Sequence, residues 1–512
     1  MKKNNKLIEN NKGSISLLVV LTIFTFIAIL VGSFLTVMAL RKSQNQSNYR
    51  IQEKYLQDVE RVDEVYEEII SKITLKKADI PEKSEESAFD RSYGVIEIEF
   101  LKDIGYEISD EPNEPKMTSD MKKVYWKDDG TEVLEGDEEF DETKWYSYIV
   151  QMSDTAEGGT SKWANAVTLD SSGNIEAYWV WIPRYAYRIV YFDTPEHEEA
   201  YRLTGATDGI VGYSDARGLV HPDGKTPSDM ESPVTSIAVG KEMLRPHPVF
   251  EGGSETGYEQ GEWEEALEGI WIAKYEMSGT SNELKSLPGV TSLRELTIAD
   301  MYTCAIDYNT TKKSHMLKNS EWGAISYLTD SKYGRNGTAV TINSVTGYYT
   351  AGANGATQAS NPLQSTTGNY YGIYDTVGCA YEYVAGYIAD ETSNYGNSFA
   401  TTNGTNNSKK TSTKYATSYN MKASNATTIE NYNLNINKIF GDALIETSTS
   451  GEGVNAWNEG DAYFVGVYNS KNYPFFIVGG SRSYSDASSF AFSLNKGTKS
   501  SAYGFRIALC IE

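Results

Sequence analysis

The sequence predicts an α+β protein: an N-terminal transmembrane and stalk helix, then a domain of twisted antiparallel strands, two helices and long loops. Three observations predict it. Residues Ser14 to Leu40 run without a charge. Between Ile51 and Ile73, apolar residues recur at spacings of three and four, the period of one helix face. In the last forty residues, Tyr473 to Glu512, apolar and small polar residues alternate, as in strands half buried against a core.

The elements follow in chain order. Residues 1–13 are a basic leader carrying Lys2, Lys3, Lys6 and Lys12 and ending at Gly13. The charge-free run 14–40 would make a helix of about 40 Å, against a hydrocarbon core of about 30 Å. A cleaved secretory signal would have a shorter apolar core and a small-residue cleavage site, so a retained span is expected. Lysines precede the run, and Arg41 and Lys42 follow it. The large acidic remainder is expected outside the cell, giving a single-pass protein of the cell membrane with its C-terminal domain extracellular. Residues 41–80 read as an amphipathic stalk helix, with Ile51, Tyr55, Val59, Val62, Tyr66, Ile69 and Ile73 on one stripe. A basic leader ending in Gly, followed by such a helix, partly resembles a type IV pilin N-terminus. That family usually carries Glu at the fifth position after the Gly, where this chain has Leu18. A plain anchor, a homo-oligomer through the stalk and a pilus subunit all stay open.

Pro81 should end the stalk. Residues 81–144 are acidic, with turn pairs Asp129-Gly130 and Glu135-Gly136 and strand-like runs Val95 to Phe100 and Val124 to Trp126. They read either as an acidic linker or as a small β segment. From residue 145 to 512 a single domain is expected. Its strands include Trp163 to Val167, Trp179 to Ile189 and Gly269 to Glu276, with Pro183 marking an edge or a bulge. Leu293 to Ile306 and Glu321 to Leu328 are its helices. Two helices against a twisted antiparallel sheet make an α+β pattern. Residues 194–265, 334–369 and 392–427 are insertions or long polar loops.

Composition excludes several functions. With 46 basic and 70 acidic residues the net charge is −24, which argues against nucleic acid as a partner. Cys304, Cys379 and Cys510 form neither a disulfide framework nor a CxxC metal site, and they read as small buried thiols; one bridge between two of them stays open. His197, His221, His247 and His315 show no ligand spacing. Gly218 to Thr226 has five residues between its glycines, and Pro227 follows, so it is a turn and not a phosphate loop. Neither Ser493-Leu494-Asn495-Lys496 nor Gly479-Gly480-Ser481 sits in the context a nucleophilic serine needs. No catalytic residue and no metal ligand is assigned.

Three segments carry a family resemblance. Met316 to Trp322, MLKNSEW, is similar to an "LPTEAEWE" helix start; Tyr371 to Tyr383, YGIYDTVGCAYEY, is similar to "GLYDMxGNVWEW"; and Gly479-Gly480-Ser481 is followed by Gly504-Phe505-Arg506. In this order they resemble the formylglycine-generating-enzyme (sulfatase-modifying factor) branch of the C-type lectin fold, over roughly Tyr178 to Glu512. The resemblance implies that fold. It also implies an oxidase built on two cysteines after an Arg-Gly-Gly-Ser. Here Val478 stands in place of the Arg, and no cysteine lies between Gly479 and Arg506, so no enzyme is expected. The family places calcium near the second segment. Cys379 replaces its Asn while Glu382 is kept, so calcium is left open and no other cofactor is expected.

The C-terminal stretch is the candidate binding face. Ser481, Arg482, Ser483, Tyr484, Asp486, Ser488, Ser489, Ser493, Asn495, Lys499, Ser501 and Tyr503 lie between its apolar residues. Tyr and Ser give contact area and hydrogen bonds at low entropic cost. An ordinary outward sheet face would look similar. Variable proteins of diversity-generating retroelements, which share the resembled fold, have their mutable residues in this stretch, and adenine-directed mutagenesis favours Asn, Tyr, Ser and Asp codons. The resulting expectation is a membrane-anchored display protein binding an extracellular protein or glycan. A minor pilin-like subunit and an enzyme of the resembled family are the alternatives.

Overall fold

Tyr178-Trp179-Val180-Trp181-Ile182 offers no polar residue to face water, and it becomes the middle of the main sheet. The computed structural model describes residues 112–148, 159–187, 190–191, 240–241, 245–250, 263, 266–331, 333–389, 413–420, 441–444, 474–483 and 487–511. All of them fall in the unit Glu86–Glu512. Strands β1 (Met121–Trp126), β2 (Glu132–Leu134), β3 (Asn165–Leu169) and β4 (Ile175–Pro183) pair antiparallel in the order β2-β1-β3-β4. Two short ladders follow, β5 (Ala186–Tyr187) with β8 (Arg245–Pro246) and β6 (Val190–Tyr191) with β7 (Gly240–Lys241). Next come β9 (Gly269–Ala273), the hairpin of β10 (Ser278–Thr280) and β11 (Glu283–Lys285), and β12 (His315–Met316).

A second sheet is built from β13 (Tyr381–Ala389), β14 (Thr417–Asn420), β15 (Phe475–Val478), β16 (Phe492–Asn495) and β17 (Tyr503–Phe505). The last strand, β18 (Ile507–Leu509), returns to the main sheet, whose order is β12-β18-β9-β4-β3-β1-β2, antiparallel throughout. The second sheet runs β14-β13-β15-β16, with β17 parallel to β13.

Both faces of β4 are covered, which explains its unbroken apolar run. Val180 and Ile182 join one buried cluster with Trp163, Trp322, Val384 and Phe476. Trp179 and Trp181 join another with Trp271, Ile298, Met301 and Phe505. Several of the buried indoles donate to main-chain carbonyls. Trp145 Nε1 donates to Asn165 O at 2.6 Å, Trp163 Nε1 to Tyr333 O at 2.9 Å, and Trp271 Nε1 to Lys116 O at 2.6 Å.

The first helix, α1 (Ile298–Tyr308), starts later than the apolar pattern suggests. Leu293 N–H donates to Met277 O, and Glu295 sits at φ +63°, so the chain cannot be helical there. Thr297 sets the start through a capping box: its hydroxyl accepts from Asp300 N–H at 3.1 Å, and the Asp300 carboxylate accepts from Thr297 N–H at 3.2 Å. The second helix, α2 (Asn319–Asp330), is buried along nearly its whole length.

The structure corrects the predicted class. The described chain is mainly β, with eighteen strands and two α-helices among the described residues. The predicted transmembrane and stalk helix, residues 14–80, lies outside the described residues, as does the strand-like run Val95 to Phe100. Among the described residues no helix is long and apolar enough to cross a membrane. The two helices have 11 and 12 residues, against the roughly 20 that a span requires. The same finding corrects the expected single-pass location in the cell membrane and the membrane as a partner. The three cysteines are unpaired.

One residue joins the two sheets. Arg506 stands between β17, in the second sheet, and β18, in the main sheet, and is fully buried. Its Nη2 and Nε donate to the two carboxylate oxygens of Glu382 on β13 at 2.7 and 3.1 Å. Nη1 donates to Ala273 O at the end of β9, and Nη2 to Tyr374 O, both at 2.8 Å. Removing one partner of such a pair leaves a buried charge uncompensated. Glu382→Ala should therefore lower the unfolding free energy by about 3–5 kcal/mol, read from urea denaturation. A loss below about 1 kcal/mol, the value of an exposed pair, would contradict this account.

Candidate functional site

The C-terminal face begins where β15 ends. Gly479 and Gly480 have φ of +80° and +71°, a left-handed pair that turns the chain out of the sheet. The loop then returns as β16, and Phe475, Phe476, Ile477 and Val478 pair with Asn495, Leu494, Ser493 and Phe492. Phe490, Phe492 and Leu494 are buried, and so are Ala491 and Ser493 between them, so this strand is covered on both sides and not half-buried.

The candidate residues separate into three depths. Ser481, Ser489 and Ser493 are buried. Arg482, Ser488, Asn495 and Tyr503 are half-buried, and Ser483, Lys499 and Ser501 are exposed. Tyr484 and Asp486 lie outside the described residues. Ser489 serves through its carbonyl, which accepts from Trp322 Nε1 at 2.7 Å and Ser326 Oγ at 3.0 Å on α2. Asn495 and Tyr503 form a locked set: Asn495 Nδ2 donates to Tyr503 OH at 2.9 Å, and Tyr383 OH donates to Asn495 Oδ1 at 2.5 Å. The Tyr503 ring packs edge-on against Tyr383 and Tyr381, at 5.2 and 6.0 Å between centroids.

Two residues outside the C-terminal stretch join its ends. Tyr348 receives the Arg482 guanidinium at 4.9 Å from its ring centroid and the Arg294 guanidinium at 4.1 Å. Arg294 Nη1 also donates to Ser501 O, and Arg294 Nε donates to Ser292 O at 3.3 Å. Arg482 and Ser501, far apart along the loop, thus become neighbours on one rim. Tyr348 is held at φ +57°, unfavourable for a bulky side chain, and its carbonyl accepts from Ser292 N–H at 2.9 Å. Sequence reasoning missed both residues. Tyr348 sits in a polar loop that reads as turn, and a positive φ away from Gly has no sequence signal.

Beneath the rim lies a buried polar floor. Asp375 accepts from Asn343 Nδ2 at 2.8 Å and from Ala351 N–H at 3.1 and 3.2 Å. Glu276 accepts from Ala380 N–H at 2.9 Å. Gly504 lies close above: a Cβ there would come 2.9 Å from Ser292 Oγ and 3.0 Å from Glu276 Oε2. Burial pushes Glu276 well above the usual carboxyl range, with Glu382 and Asp375 adding to it. Burial raises Asp375 to about 6, against the hydrogen bond from Asn343 and the charge of Arg506. Burial raises Glu382 too, although Arg506 opposes it. Each oxygen of Glu382 accepts one hydrogen bond from Arg506.

No family model matches the chain, and no curated protein does. Among solved structures, the M1, U1 and I1 variants of the Major Tropism Determinant align with it at 11% identity and a TM-score of 0.25. The alignments cover 78, 77 and 77% of this chain and 74, 73 and 73% of theirs. At that TM-score the likeness carries nothing about what this chain does.

The floor has a measurable pH signature. Asp375 binds its proton more tightly folded than unfolded, its carboxyl rising from an ordinary 3.8 to about 6. Its contribution to stability is full below about 3.8 and is lost as pH rises through about 6. The difference in unfolding free energy between the parent and Asp375→Asn should change across that interval and be level above it. Urea titrations at a series of pH values check this, and a difference independent of pH would refute it.

Proposed function

We propose that this chain is a ligand-binding protein that presents the rim around Tyr348 to a protein or glycan. One observation carries the reading. Arg482 and Ser483 at one end of the loop, and Lys499 to Tyr503 at the other, converge through Tyr348 and Arg294. They do so over a floor that is buried and cross-linked by hydrogen bonds. A rigid base under half-exposed aromatic and polar side chains suits recognition, because little side-chain freedom is lost on contact. The resemblance to the C-type-lectin branch of the formylglycine-generating enzymes supports the same reading. The chemistry of that family is not proposed for this chain. Cys379 and Cys510 are buried, burial pushes Cys304 up to about 12, and no cysteine lies between Gly479 and Arg506. A thiolate pair has no place on this rim.

We further propose that the rim is diversified, in the manner of retroelement variable proteins. Sequencing the gene segment for Val478 to Ile507 across many cells of one population tests this. Substitutions are expected at Arg482, Ser483, Lys499 and Ser501, whose side chains the scaffold does not hydrogen-bond among the described residues. Phe490, Phe492, Gly504 and Phe505 should be fixed, and the buried Ser489 and Ser493 held to small residues. A uniform sequence refutes diversification and leaves binding standing. Binding itself is tested on a glycan microarray and a panel of purified surface proteins. A hit bound by the parent should weaken by at least about tenfold in Arg294→Ala and Tyr503→Ala, the effect of losing a contact of about 1.4 kcal/mol. Unchanged binding by both variants would refute this location of the site.

A further inference from the structure

His315 opens β12, Glu321 lies in the first turn of α2, and Cys510 directly follows β18. The pairing of His315 with Ala508 across β12 and β18 brings the first and last together. Cys510 N–H donates to Lys312 O at 2.9 Å, which fixes the thiol's approach. All three side chains are buried, at 0, 0 and 1% exposure. One nitrogen, one carboxylate oxygen and one sulfur lie within 4.8 Å of one another. The rim does not use them.

We propose that His315 Nε2, the Glu321 carboxylate and Cys510 Sγ form a buried site for a divalent cation of the zinc class. The donor set selects that class. Calcium and magnesium ask for oxygen ligands in larger numbers, whereas an N, O, S set suits zinc. Tetrahedral zinc would set these ligand atoms about 3.3–3.7 Å apart. The three atoms now lie within 4.8 Å of one another, with Nε2 and Oε1 at 2.8 Å, so metal binding opens that pair and draws the sulfur toward it.

The second shell independently supports the site. His315 Nδ1 lies 2.7 Å from Lys313 O, a carbonyl that can only accept, so Nδ1 carries the hydrogen. This is the arrangement that orients a metal-binding imidazole. Nε2 then faces Glu321 Oε1 at 2.8 Å, and only a proton or a cation reconciles two lone pairs at that distance. The other carboxylate oxygen is held by Lys318 N–H at 2.8 Å. Trp263 and Tyr415 close over the imidazole, at 5.8 and 5.3 Å between centroids.

Charge does not oppose the exchange. Without metal, one proton lies between His315 Nε2 and Glu321 Oε1 and one is on the thiol. A divalent cation replaces those two protons, releases them to solvent and leaves the net charge unchanged. Lys313, Lys318 and Lys414 all act on the thiol. Their field meets the same net charge in both states. Lys318 and Lys414 rest on the Trp263 ring, at 5.2 and 5.0 Å from its centroid.

The test uses the full-length chain, stripped with a chelator and reloaded with zinc or cobalt(II). One metal per chain is expected, and the cobalt form should show a thiolate-to-cobalt charge-transfer band in the near ultraviolet. The band should persist in Cys304→Ser and Cys379→Ser and vanish in Cys510→Ser. His315→Gln should weaken zinc binding by more than about a hundredfold, since even outer-shell changes reach that range. No metal uptake, uptake without the band, or a band that survives Cys510→Ser would each overturn the site. Should the variants fail to fold, the parent's cobalt spectrum still decides: absence of the band refutes the proposal.

Discussion

The structure turns on the buried guanidinium of Arg506. The chain leaves the second sheet at Phe505 and enters the main sheet at Ile507, so Arg506 occupies the single residue where the sheets change over. Its donors reach Glu382 in one sheet, the carbonyl at the end of β9 in the other, and the Tyr374 carbonyl in the connecting segment. Burial works against the charged guanidinium. Glu382 outweighs that, and Arg506 is held above its ordinary range. A hydrophobic residue could fill the space, but it could not tie three separate backbones at fixed angles. Here the buried pair specifies geometry more than it adds stability, which is the better-founded use of such pairs.

The same charge organises the floor. Glu276 and Asp375 stand close enough to Arg506 and Glu382 to feel both. Burial raises Glu276 and Asp375, and crowding three carboxyls against one guanidinium adds to it. The rim above does not share this charge repulsion. Its half-exposed groups are held by ring stacking and by backbone carbonyls, which leaves their side-chain edges free for solvent or a ligand. Rigidity below and availability above are thus consequences of one buried charge cluster and its depth.

Much of the frame was legible in the sequence. The run from Trp179 was legible as a strand, but Pro183, expected to mark an edge or a bulge, pairs with Gly269 inside the main sheet. The alternation at Phe490, Phe492 and Leu494 predicts a strand, but a half-buried one, and it is covered on both sides. Other features follow from tertiary contacts with no local signal. Thr297 sets the start of α1 because Glu295 is held at positive φ by its surroundings, although the apolar pattern begins at Leu293. Ser489 and Ser493 read as surface residues by type, yet pairing to β15 and docking on α2 bury them. Tyr348 and Arg294 enter the rim through a cation–π stack between segments distant in sequence. The apolar segment 14–40 gave the strongest helical signal of the chain, and it lies outside the described residues.

How the rim is fastened bears on what it can tolerate. Gly479 N–H donates to Ala491 O, Arg482 N–H to Cys379 O, Glu295 N–H to Ser500 O, and Tyr381 N–H to Ala502 O, at 2.9 to 3.1 Å. Trp322 reaches the Ser489 carbonyl, and Arg294 reaches the Ser501 carbonyl. In each contact the rim residue contributes only a main-chain atom, and the specific side chains belong to the scaffold. A side chain at Arg482, Ser483 or Ser501 can therefore change without releasing the bond that positions its backbone. Tyr503 and Asn495 differ, because their side chains bond each other and Asn495 also receives Tyr383. Substitution there alters the rim's support as well as its surface. The physical boundary between variable and constant positions thus follows which atom of each residue the scaffold holds, and exposure alone does not draw it.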